Sequence, residues 1–211
     1  AIGNQTMSGV VTGDYNIAIG PDAADALTSG DDNIAMGRNA LGASTTGCLN
    51  VAIGLLALGG TDTTGINNIA MGTNAMDALT TGICNIAIGA YALTNSTTGC
   101  FNIGIGKSAI AGAVTTGIDN IAIGQSAMDA LTSGACNIAL GINAYGTAAA
   151  GTYNIALGDT AMGGSLVTGA DNIAMGRTAM DALLAGADNI AIGREAYGTA
   201  EAGTYNIAIG N

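Results

Sequence analysis

Residues 12–37 read TGDYNIAIGPDAADALTSGDDNIAMG, and nearly the same phrase occurs in them twice. An Asn opens each phrase, and successive phrases begin 17, 17 and then 18 residues apart along the whole chain. These phrases open at Asn16, Asn33, Asn50, Asn68, Asn85, Asn102, Asn120, Asn137, Asn154, Asn172, Asn189 and Asn206. A fixed period of this length is typical of repeat proteins, in which each unit stacks on its neighbours.

Each unit keeps the same residue types at the same positions. The residue after the Asn is Ile in all units but one, which has Val51, and the next is Ala everywhere except at Gly104. This alternation has a period of two and predicts a short strand with Ile on one face and Ala on the other. The glycines on both sides suit corners. We expect a second short strand around the apolar residues that follow a later Ala, such as Leu41 and Leu58.

A turn every 17 or 18 residues predicts an all-β chain folded as a parallel β-solenoid. Three units form a block of 52 residues, which divides the single repeat array 1–211 into blocks 16–67, 68–119, 120–171 and a truncated 172–211. Gene duplication is the simplest account of this larger period. The chain opens with AIGN and closes with NIAIGN, so we expect it to be a window of a longer polypeptide.

Stacking in register gives the repeated Asn a structural role. Identical Asn side chains would lie above one another and hydrogen-bond along the axis, as amide ladders do in cross-β structures. The alternative is that each Asn is an ordinary corner residue that tolerates unusual backbone angles.

Both faces of the predicted strand are apolar. A coil of 17 residues has a narrow interior that suits Ala, so we expect Ile, Met and Leu to point outward and to be covered by identical chains. The expected subunit interface contains Ile17, Ile19, Ile34, Met36, Ile86, Ile88, Ile121, Ile123, Ile190 and Ile192. The alternative is a wider monomeric solenoid with Ile inside and Ala outside.

The stretches TGICNIAIGAYAL (81–93) and TGCFNIGIGKSAI (98–110) show a resemblance. They are similar to the head repeats of YadA-like trimeric autotransporter adhesins and to shaft repeats of bacteriophage tail fibres. The resemblance covers the whole chain and implies a left-handed β-roll in a homotrimer, with the Ile pairs facing the threefold axis. It also implies an extracellular attachment fibre on a virion or bacterial surface, whose receptor binds outside this fragment. The adhesin repeat is shorter, so its loop geometry does not carry over.

Composition argues against most other functions. The net charge is −11, and the cations Arg38, Lys107, Arg177 and Arg194 are too few to track phosphates, so we expect no nucleic-acid binding. No apolar run reaches the roughly 20 residues of a membrane helix, so we expect no membrane insertion. The chain has no His, which excludes Ser-His and Cys-His catalysis. We therefore expect a structural protein rather than an enzyme.

Acidic residues offer a weak metal hypothesis. Four of them directly precede a repeated Asn and could line one edge for Ca²⁺, namely Asp32, Asp119, Asp171 and Asp188. This column is interrupted by Asn67, Cys84 and Cys136. We expect no metal and no cofactor, with Ca²⁺ as the remaining alternative.

Cysteine and threonine columns give two further hypotheses. Among Cys48, Cys84, Cys100 and Cys136, only Cys84 and Cys100 lie on adjacent coils where a disulfide is conceivable, and we expect free, partly buried thiols. Flat Thr ladders can bind ice, which makes a monomeric ice-binding protein the alternative function. The Thr column contains Thr28, Thr45, Thr63, Thr80, Thr97, Thr115 and Thr132. It fails later, at Ala149, Val167, Leu184 and Glu201.

Overall fold

The computed structural model describes residues 1–112, 114–148, 150–164, 167–198 and 202–210. It is an all-β solenoid whose strands form one parallel sheet of twelve strands, ordered as in the sequence. The strands are β1 (Ile17–Ile19), β2 (Ile34–Met36), β3 (Val51–Ile53), β4 (Ile69–Met71), β5 (Ile86–Ile88), β6 (Ile103–Ile105), β7 (Ile121–Ile123), β8 (Ile138–Leu140), β9 (Ile155–Leu157), β10 (Ile173–Met175), β11 (Ile190–Ile192) and β12 (Ile207–Ile209). This confirms the predicted parallel β-solenoid.

Every strand pairs in register with the next one along the chain. Ile17 lies beside Ile34, and Ala18 lies beside Ala35. Because strand side chains alternate between the two faces, this register stacks Ile on Ile outside the coil and Ala on Ala inside it.

The prediction of a second strand in each coil is wrong for the described residues. The segment that was expected to form it turns twice within three residues, because Asn39 and Leu41 both have left-handed backbone angles, with φ of 55° and 53°. The turn still hydrogen-bonds to neighbouring coils, since Asn39 N donates to Pro21 O at 3.0 Å and Leu41 N donates to Ala57 O at 2.9 Å. The backbone is therefore satisfied between coils without extended structure on this side.

Small residues from the strand and larger apolar residues from the turn side pack the interior of the coils. In β2 the central residue Ala35 is completely buried, and so are Ala40 and Leu41 on the turn side. The first coil of each block adds a larger fully buried side chain, at Leu27, Leu79, Leu131 or Leu183. The prediction that Ala points inward is confirmed, and the alternative with Ile filling a wider lumen is wrong.

In β6 the central residue is Gly104 instead of Ala, so this coil lacks the methyl group that the other strands point inward. A Cβ at this position would lie 3.3 Å from both Ala109 O and Leu93 Cγ. We expect Gly104→Ala to raise the free energy of unfolding by about 1 kcal/mol, because the methyl is buried and the unfolded chain loses freedom. Urea unfolding followed by circular dichroism measures this change. A loss of stability instead would show that Leu93 cannot move aside.

Candidate interaction surface

The repeated Asn side chains form a ladder along the inside of one corner. At Asn120, the backbone N–H and the side-chain Nδ2 both donate to Asn102 Oδ1 at 3.0 Å, and Nδ2 also donates to Gly134 O at 2.8 Å. The backbone bond joins every successive pair from Asn16 to Asn206. The ladder thus ties the start of each strand to the next coil.

The unusual backbone angle at this corner belongs to the residue before the Asn. Asp119 has φ of 58° and Phe101 has φ of 59°, whereas none of the ladder Asn residues is left-handed. The alternative reading of the Asn as a corner residue is therefore wrong. The left-handed residue turns the chain so that the following Asn side chain points into the coil.

The first and third residues of every strand point outward and form what we call the apolar stripe. It contains only Ile, Val, Leu and Met. Even in the middle of the rod these side chains stay accessible, with exposed fractions of 39% for Ile88 and Ile123 and 40% for Leu140. All ten residues of the predicted subunit interface belong to this stripe.

The apolar stripe is large for a surface exposed to water. Twelve strands spaced about 4.8 Å apart give a length of about 55 Å and, at a width of about 10 Å, an area on the order of 600 Å². This is the upper end of the largest apolar patch on a typical monomer. A patch of this size is typical of a site where another molecule binds.

Exposed apolar and aromatic residues extend the stripe on one side. They directly precede a ladder Asn and are at least half exposed: Tyr15 in the first coil, and Leu49, Phe101, Tyr153 and Tyr205 at every third coil. Their left-handed backbone angles are uncommon for bulky side chains. The same side carries exposed carboxylates at Asp31, Asp32, Asp119, Asp171 and Asp188. We call the positions one and two residues before the ladder Asn the acidic flank.

The cations lie on the other side of the stripe. All four occupy the same place, five residues after a ladder Asn, and they are Arg38, Lys107, Arg177 and Arg194. Each is exposed. We call this position the basic flank. The number of cations alone does not reveal this common position, which appears only when each is counted from its nearest ladder Asn.

Two polar groups have shifted titration behaviour for structural reasons. Burial raises the pKa of the Tyr145 hydroxyl, which accepts a hydrogen bond from Asn154 Nδ2 at 2.8 Å. Burial also raises the pKa of Asp129, although the backbone N–H groups of Gly112 and Ala111 oppose this shift. Both groups hold neighbouring coils together.

The predicted acidic column does not gather into a metal centre in the described part of the chain. There, no three Cys, Asp or Glu side chains lie close enough together to hold a metal ion.

The cysteines are free and half-buried, as predicted. The Cys84–Cys100 disulfide does not form in this structure. Cys100 Sγ instead faces the backbone N–H of Ile83 at 3.5 Å. The register explains why Cys100 lies beside Ile83 and not beside Cys84. Ile83 and Cys100 are each two residues before their ladder Asn, whereas Cys84 is one residue before.

The Thr column is not a continuous surface. Thr63 and Thr115 are completely buried and donate their hydroxyls to Leu79 O and Leu131 O, at 2.8 and 3.0 Å. Both lie in coils with one extra residue, which shifts the loop relative to the coils that contain Thr28 and Thr45. Val167 is buried as well. Ala149 and Glu201 lie outside the described residues. A flat Thr face is therefore interrupted at every third coil.

Comparisons of the chain with protein-family models, with curated proteins and with solved structures gave no match. Within the described residues, no helix has the length and apolar character needed to cross a bilayer.

Proposed function

We propose that this chain is a segment of a structural attachment fibre, the shaft or head of a homotrimer that presents a receptor-binding region. Its setting would be a phage tail fibre or a bacterial cell-surface adhesin, outside the cell. The observation that supports this most is the apolar stripe, which runs without a polar side chain through all twelve strands. The repeat resemblance supports the trimeric left-handed β-roll and the attachment role.

Burying the stripe supplies the driving force for assembly. Removing about 600 Å² of apolar surface per chain from water, at about 25 cal/mol per Å², gives about 15 kcal/mol of gross stabilisation per chain. Association entropy and side-chain ordering offset part of this. Three stripes that face a common axis leave the charged and polar loops in water, and the net charge of −11 keeps the rod soluble.

The rod's role is mechanical. Adjacent coils are joined by backbone hydrogen bonds on the strand side, on the turn side and at the Asn ladder, so an axial load is shared among several bonds at each level. A rod built this way holds a binding region at a distance from the surface that carries it. We assign receptor recognition to regions outside this chain.

The test is the solution mass of the chain and of a variant with a charged stripe. Light scattering is expected to give three chains for the natural sequence. Ile121→Glu with Ile123→Glu is expected to weaken assembly at least about 100-fold, because each contact would bury unpaired carboxylates. Both side chains point outward, so the coil itself is expected to keep its circular dichroism spectrum.

Ser133→Glu is the matched control, since Ser133 is exposed and lies off the stripe. It is expected to leave the mass at three chains. A natural chain that is monomeric at all accessible concentrations would overturn the proposal.

A further inference from the structure

The two flanks of the apolar stripe match each other in several coils. Every Arg of the basic flank shares its coil with an Asp of the acidic flank, six residues earlier in the chain. The three coils contain Asp32 with Arg38, Asp171 with Arg177, and Asp188 with Arg194. All six side chains are exposed.

Coils without an Arg–Asp pair show a related correspondence. Two coils have apolar residues on both flanks, Leu49 with Leu55 and Cys136 with Ile142. A third has small polar residues, Asn67 with Thr73. In the sixth coil Phe101 is matched with Lys107, a pair that can form a cation–π contact. In these seven coils the side chain on one flank is thus chemically suited to the one on the opposite flank, whereas Asp119 with Gln125 and Tyr153 with Asp159 have no charge match.

These matched residues are too far apart to meet within one chain. A complete strand lies between them, and at about 3.3 Å per residue their Cα atoms are on the order of 15–20 Å apart. An ion pair needs its nitrogen and oxygen within about 4 Å. The combined length of an Arg and an Asp side chain is too short to bridge the rest of this Cα–Cα distance. The matched residues are therefore suited to contacts between chains.

We propose that copies of this chain associate in parallel and at the same axial level, so that the basic flank of one copy lies on the acidic flank of the next. This inference rests on the self-association proposed above and specifies its geometry. Rotation about an axis along the rod keeps every coil at its own level and brings opposite flanks together. An end-over-end pair would instead set basic flank against basic flank, which like charges disfavour.

The flanks distinguish one axial alignment of two copies from another, which the apolar stripe does not. Because each strand presents nearly the same aliphatic pair, sliding one copy by one coil would change the buried area only at the ends of the rod. The same slide would move Arg38 from Asp32 to Leu49 or Tyr15, and Arg177 from Asp171 to Asp188 or Tyr153. In register, three Arg–Asp pairs meet, and Phe101 meets Lys107. A slide by one coil keeps at most two cation–Asp pairs, for example Lys107 with Asp119 and Arg177 with Asp188, so the polar pairs favour the same axial level.

Charge reversal tests this geometry. The first variant carries Arg38→Asp, Arg177→Asp and Arg194→Asp, and the second carries Asp32→Arg, Asp171→Arg and Asp188→Arg. Each alone puts like charges at three levels of every contact, so we expect the dissociation constant to rise at least 10-fold at low salt. The chain with all six changes is expected to assemble like the natural one. If the six-change chain is no better than the three-change chains, matching by copied repeat units explains the pairs and the proposal fails.

A disulfide tests the axial level directly. Ile142→Cys places a thiol on the basic flank of the coil whose acidic flank holds Cys136. Mild oxidation is expected to link neighbouring copies into covalent oligomers on a denaturing gel. Thr147→Cys is the control, because it is exposed on the turn side of the same coil and is expected to give no such ladder.

The two proposals fail differently. A natural chain that assembles, but in which Ile142→Cys gives no more cross-linking than Thr147→Cys, overturns the parallel register and leaves the fibre proposal standing. A monomeric natural chain overturns both.

Discussion

Asn120→Asp is expected to lower the free energy of unfolding by about 3–5 kcal/mol at neutral pH, because it buries a carboxylate without a counter-charge. The Nδ2 of Asn120 donates to Asn102 Oδ1 and to Gly134 O, and the side chain is completely buried. In the Asp variant an oxygen replaces this nitrogen and faces both acceptors. Urea unfolding followed by circular dichroism measures the loss.

The loss in this variant is expected to depend on pH in a definite direction. Burial and the surrounding acceptor oxygens raise the pKa of the new carboxyl above its unfolded value of about 4. The folded state then holds the proton more tightly than the unfolded state, so stability is greatest below the unfolded pKa and falls as pH rises through the folded pKa. The variant should therefore be closest to the natural chain in acid.

Asn16→Asp is the matched control at the first rung. Asn16 is half-buried rather than fully buried, and its Nδ2 donates to Gly30 O at 2.7 Å. A smaller loss is expected, because water solvates the carboxylate and only the end of the stack is affected. Equal losses at Asn16 and Asn120 would mean that the ladder does not depend on burial.

The strand and its burial could be predicted from the sequence because local pattern and stacking agree. The period-two alternation places Ala35 inside and Ile34 outside, and the small Ala leaves room for the larger side chain that the turn side contributes, such as Leu41. Repetition at a fixed interval then sets the parallel register without further information.

The turn side could not be predicted, because its residues are poor indicators of their own conformation. Leu41 and Met128 are left-handed, with φ of 53° and 55°, although neither residue type favours that region. Closing a coil of this length demands the turn, and stacking between coils stabilises it. A local pattern of apolar residues predicts a strand, because it does not show that the chain must turn here to close the coil.

The flank residues can be found in the sequence, but their position on either side of the stripe becomes clear only when the backbone angles at the corners are known. Arg38 and Asp32 become opposite edges of one surface only because Gly37 and Asp32, with φ of 133° and 56°, turn the chain at both ends of the strand. The alignment of the Thr residues on one face could not be predicted for a related reason. An extra residue in every third coil moves Thr63 inside, which a count back from the Asn does not reveal.

Gly124→Ala is expected to lower the free energy of unfolding by at least about 3 kcal/mol, because two penalties combine at one atom. Gly124 has φ of 139°, a conformation that side chains with a Cβ rarely adopt, and the added Cβ would lie 2.3 Å from Gly141 O in the next coil. That oxygen belongs to the backbone, so the coils must separate.

Gly210→Ala isolates the first penalty, since its φ is 133° and no atom lies within 4 Å of the added Cβ. Gly9→Ala carries neither penalty, with Asp25 O as the nearest atom at 3.6 Å, and is expected to change stability by less than about 1 kcal/mol. Thermal and urea unfolding of the three variants should rank the losses as Gly124, then Gly210, then Gly9. A Gly124→Ala chain as stable as the Gly9→Ala chain would show that the coils are not packed closely enough at this corner to require Gly.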